Sequence, residues 1–113
     1  MNLKRGVKTE GVQPQMWFAL GVAQKVFQHV AQKDLTVTSL NDSHGKRPKS
    51  LHHQGLGADL RTRGLSAVLA ASVAKQLGED LDALGFDVVL EPDHIHVEYD
   101  PKNGQAWLRE GVA

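Results

Sequence analysis

A chain of 113 residues with 41% apolar and 23% charged side chains has the composition of one ordinary globular domain, long enough for a modest core and too short for a second. Thirteen basic residues balance thirteen acidic ones, which weighs against nucleic acid as a partner, since such binders normally carry a basic face. Without cysteine, disulfides are excluded, and any metal ion must be held by His, Asp and Glu.

Residues 1–13 predict an irregular arm. The basic residues in MNLKRGVKTEGVQPQ are not followed by the apolar run of a secretory signal, so the expectation is a chain made in the cytoplasm without a signal peptide. No stretch approaches the roughly 18 uninterrupted apolar residues of a membrane span, so no membrane insertion is expected. Pro14 suits a first helical turn, and Met16, Leu20, Ala23, Phe27 and Val30 recur at helical spacing, predicting a helix over 14–32. LTVTS (35–39) alternates as a strand does, and LNDSHGKRPK (40–49) has no period and predicts a loop.

LGADLRT (56–62) fits a short strand. Leu65, Leu69, Val73, Leu77, Leu81 and Leu84 then mark a second helix over 65–84, which Gly85 is placed to end. FDVVLE (86–91) alternates Phe86, Val88 and Leu90 against Asp87, Val89 and Glu91, and HIHVEYD follows as a further strand after Pro92. A turn, DPKNGQ, and a short segment carrying Trp107 and Leu108 close the chain. The last two strands are joined too tightly to be parallel. The predicted class is therefore α+β, a small antiparallel sheet with helices packed on one side, forming one domain over 1–113 and taken as a monomer.

Six histidines occur, and four of them sit in KSLHHQGLGADLRTR and LEPDHIHVEYD. On a strand, His94, His96 and Glu98 share one face while Ile95, Val97 and Tyr99 share the other. The apolar trio must face the core; the polar trio faces water or something that wants nitrogen and oxygen. Gly55 and Gly57 permit a bend that would return Asp59 toward His52, seven residues earlier. Two histidines and a carboxylate, with a fourth position open to water, make a catalytic zinc shell, here expected on the sheet face. Such a site needs a base near the water. Asp93 stands three residues before His96, and Glu91 has the same spacing to His94; the spacing alone chooses neither.

Ser50, His52, Gly55 and Asp59 reproduce the pattern S-x-H-x-x-G-x-x-x-D, and DHIH follows at 93–96. With a helix between these segments, the stretch from about Val37 to Tyr99 resembles the zinc D-alanyl-D-alanine peptidase family. That family includes murein carboxypeptidases and endopeptidases, vancomycin-resistance dipeptidases and phage endolysins, and shares its fold with the hedgehog signalling domain. The resemblance implies Zn2+ as cofactor, held by His52, Asp59 and His96, with Asp93 as general base and His94 beside the metal or the transition state. It also implies a substrate-side serine at Ser50. Two departures stand out. Glu91 occupies a position where murein members commonly have histidine, which keeps it as an alternative base. No arginine follows the first strand until Arg47, the candidate for holding a substrate carboxylate.

The remaining candidates have plainer readings. His53 suits the wall of a cleft, His44 an exposed loop and His29 a structural place on the first helix. Arg61 and Arg63 default to solvated surface positions, and Trp17 and Trp107 to packing. The functional expectation is a zinc peptidase acting on the stem peptide or cross-link of bacterial peptidoglycan, at the cell wall if it is a phage-type lysin. The alternatives are a catalytically idle zinc-binding structural or assembly module of the same fold, and a metal-dependent hydrolase such as a nuclease, against which the neutral charge counts.

Overall fold

The computed structural model describes residues 1–40 and 56–99. Its elements are β1 (Asn2–Leu3), α1 (Pro14–Val26), a π-helical turn (Phe27–Ala31), β2 (Thr36–Ser39), β3 (Gly57–Arg61), α2 (Ala67–Asp82), β4 (Phe86–Leu90) and β5 (His94–Tyr99). The strands form one sheet in the order β1-β2-β3-β5-β4. The α+β class is as expected.

Alternation decides which side of the sheet is buried. Val37, Ala58, Leu60, Ile95 and Val97 are all within 1% of complete burial and meet Met16, Leu20 and Phe27 of the first helical segment and Val73, Leu77 and Leu81 of α2. Both helices lie on that one face. Phe86 and Tyr99, partners across β4 and β5, close the core with tilted rings 5.5 Å apart. The intervening residues of β3 and β5 are left on the opposite face, and these are the chemically active ones.

β3 and β4 each pair antiparallel to β5 and so run parallel to one another, joined through α2. β5 is threaded between them, a split β-α-β arrangement. The tight β4–β5 hairpin closes with the Glu91 N–H donating to the His94 carbonyl at 2.8 Å.

Several boundaries move for local reasons. Ser66 caps α2, its hydroxyl accepting from the Leu69 N–H at 3.1 Å, so the helix starts at Ala67 rather than Leu65. At its far end Gly85 takes φ 86°, the left-handed conformation that stops a helix. The first helix widens into a π turn over Phe27–Ala31 and ends on Gln32 at φ 50°, whose N–H reaches the Gln28 carbonyl. Ala31 is buried there, while Val30 is only half-buried. The arm expected to be irregular contributes β1, which runs parallel to β2 with the Asn2 N–H on Leu35 and the Lys4 N–H on Val37. Two residues are too few to show an alternation in sequence. Of the alternating trio Phe86, Val88 and Leu90, Phe86 is buried while Leu90, at the far end of the edge strand β4, is 43% exposed. Trp17, expected to pack, is 37% exposed on the outer side of α1.

Replacing Leu77 with alanine should cost about 2–5 kcal/mol of folding free energy, and Ser66→Ala about 1 kcal/mol. Urea unfolding of the two variants beside the parent chain checks both values and their order.

Candidate functional site

The pairing of β3 with β5 builds the site. Its register sets Asp59 opposite His96, Arg61 opposite His94 and Gly57 opposite Glu98, all on the face away from the helices. Gly57 contributes no side chain to this row. It opens β3 without a positive φ, as an ordinary strand residue; the bend expected from Gly55 and Gly57 toward His52 lies outside the described residues.

Side chains of opposite chemistry alternate along the row. The Asp93 carboxylate lies 2.7 Å from His94 Nδ1. His94 Nε2 is 3.6 Å from Asp59 Oδ1. That same oxygen is 2.9 Å from His96 Nδ1, and His96 Nε2 is 3.0 Å from Glu98 Oε1. Three carboxylates thus interleave with two imidazoles. The centre of the row is sheltered, with Asp59 18% and His96 28% exposed, and its Asp93 end is open at 89%. Beside Asp59, β2 carries a bulge: Val37 pairs with Leu60, yet Ser39 pairs with Asp59. The Thr38 hydroxyl donates to the Asp59 carbonyl at 3.3 Å, which fixes the backbone under the carboxylate.

Carboxylates only accept, so His96 satisfies both of its neighbours when both ring nitrogens carry protons. Its pKa is accordingly raised to about 8, chiefly by the hydrogen bond to Asp59; burial opposes this shift and Glu98 adds to it. A metal ion taken up at this ring has that proton to displace.

Of the residues proposed from sequence, Asp59, Glu91, Asp93, His94 and His96 are described; Arg47, Ser50 and His52, with His44 and His53, fall outside the described residues. Asp59 and His96, the two described members of the expected zinc shell, are in contact. Among the described residues, no three of His, Asp and Glu are placed to hold a metal ion, so the zinc site expected on the sheet face is represented by this pair alone. The donor chemistry suits zinc: one carboxylate oxygen and one imidazole nitrogen, facing each other on neighbouring strands. Asp93 turns to His94, not toward His96. Glu91 is tied to His94 through its backbone N–H. His29 is exposed on the π turn.

Glu98 is the residue that sequence reasoning left out of the site. The alternation of HIHVE had already put it on the same face as both histidines, so the signal was present. Arg61 and Arg63, with Lys33, border a small open cleft beside Thr36, and Arg61 is also the cross-strand neighbour of His94.

No known protein family matches this chain, and no curated protein matches it. No described helix is long and apolar enough to cross a membrane.

The raised pKa of His96 makes a sign-definite prediction for the metal-free chain. A histidine whose folded pKa of about 8 exceeds the unfolded value of 6.5 contributes stability that is fully present below pH 6.5 and lost as pH rises through about 8. With a chelator present, the melting temperature should fall across that window, and His96→Gln should remove this part of the slope. A parent curve flat from pH 6 to pH 9 would contradict the Asp59–His96–Glu98 geometry.

Proposed function

We propose that this chain is a zinc-dependent peptidase that hydrolyses peptide bonds of bacterial peptidoglycan, as a carboxypeptidase or endopeptidase of the D-alanine type. The observation that carries the reading is the contact of Asp59 with His96. These side chains come from segments separated by a helix and a strand, and they are the two described members of the ligand set that the motif implies.

Asp59 and His96 would hold the ion together with His52. When bound, zinc supplies a Lewis acid and lowers the pKa of its water to about 7. The rest falls to the chain's own side chains. Asp93, exposed at the hairpin and hydrogen-bonded to His94, is free to take a proton from the attacking water and return it to the leaving amine. His94, held by Asp93 on Nδ1, turns Nε2 toward Asp59 and lies where it can donate to the oxygen of the peptide carbonyl as charge develops there. Glu91 is the alternative base. Ser50 and Arg47 are the proposed substrate contacts, and Arg61 is a further cation beside His94 for a substrate carboxylate.

The proposed site of action is the cell wall, as for a phage-type lysin, with the stem peptide or cross-link as partner and a monomer as the working unit.

Incubating the chain on purified peptidoglycan with zinc, and separately with a chelator, should release fragments only in the first case, and mass spectrometry of those fragments names the bond. Asp59→Ala and His96→Ala should lose zinc and activity together. Asp93→Ala should keep zinc and lose about 10²–10⁴-fold in turnover. An active Asp93→Ala beside an inactive Glu91→Gln would transfer the base role to Glu91. Zinc uptake without fragments under any condition would make the chain a metal-binding module instead.

A further inference from the structure

Two nitrogens of His96 face two carboxylates, and only one nitrogen can serve a metal ion. Which one is decided by the acid that keeps the other. We propose that Glu98 is a positioning residue that holds the proton on His96 Nε2, so that Nδ1 is the nitrogen this ring offers to the ion. This rests on the zinc reading above and adds to it the ring atom and the residue that selects it.

Two observations converge. Asp59, the other described ligand candidate, lies on the Nδ1 side at 2.9 Å, and Glu98 lies on the Nε2 side at 3.0 Å. An ion reached by both Asp59 and His96 therefore meets Nδ1, and an imidazole bound through one nitrogen keeps its proton on the other, where a carboxylate can accept it. His94 shows the same two-sided placement, though its proposed role is with the substrate: the adjacent Asp93 lies on Nδ1 and Nε2 faces Asp59. Each ring is thus pinned by an acid of its own hairpin and turns its remaining nitrogen to Asp59.

The test uses the full chain with zinc. Long-range 1H–15N spectra of the zinc-loaded protein, with His96 assigned by comparison with His96→Gln, should show Nε2 protonated and Nδ1 shifted by the metal. In competition with a chromogenic chelator, Glu98→Ala should bind zinc about 10–100-fold more weakly. Glu98→Gln, whose amide oxygen still accepts from Nε2–H, should recover most of that loss. Zinc binding by the parent chain with Nε2 as the metal-shifted atom overturns the assignment and leaves the zinc reading standing. So does a folded Glu98→Ala that binds within twofold of the parent. A parent chain that takes up no zinc overturns both.

Discussion

Everything chemical in this molecule hangs on one register, that of β5 against β3. A strand's side chains alternate faces, so sliding β5 by one residue would turn His94, His96 and Glu98 into the core and push Ile95 and Val97 into solvent. The apolar face forbids that slip, because Ile95 and Val97 fit between Leu60 and the helices with almost no exposure. The hydrophobic core therefore does more than hold the fold together. It fixes Asp59 across from His96, and that position makes their side chains touch.

The polar row is costly in isolation. Asp59 is sheltered and His96 is partly desolvated; each would be unfavourable without its neighbours. Together they satisfy one another through shared protons. Asp59, His94, His96 and Glu98 are on one sheet face, with Asp93 reaching His94 from the adjoining turn. Local departures of this kind concentrate where a protein handles protons, ions or substrates.

Much of this architecture was legible from periodicity. The helical stripes of Met16 to Phe27 and Leu69 to Leu81, the terminal hairpin, and the two-faced character of HIHVEY all follow from spacing and polarity. Period alone missed what depends on partners. β1 pairs where Leu35 and Val37 offer it backbone acceptors, and the bulge at Thr38 is a matter of register between β2 and β3 that alternation does not reveal. Leu90, at the end of β4, is exposed although Phe86 on the same strand is buried. In the site, motif spacing pointed to Asp59 and His96 but gave no sign that Asp93 would turn to His94. It also left Glu98 as a face-sharing neighbour when it is in fact bonded to the central ring.

The insertion of β5 between β3 and β4 bears on how the molecule is made. During synthesis Asp59 emerges first, followed by α2 and β4, and His96 arrives only with β5, the strand that lies between β3 and β4 in the finished sheet. A nascent chain still on the ribosome holds one half of the pair, and no local hairpin can bring the halves together early. The Asp59–His96 contact therefore exists only once the sheet is complete.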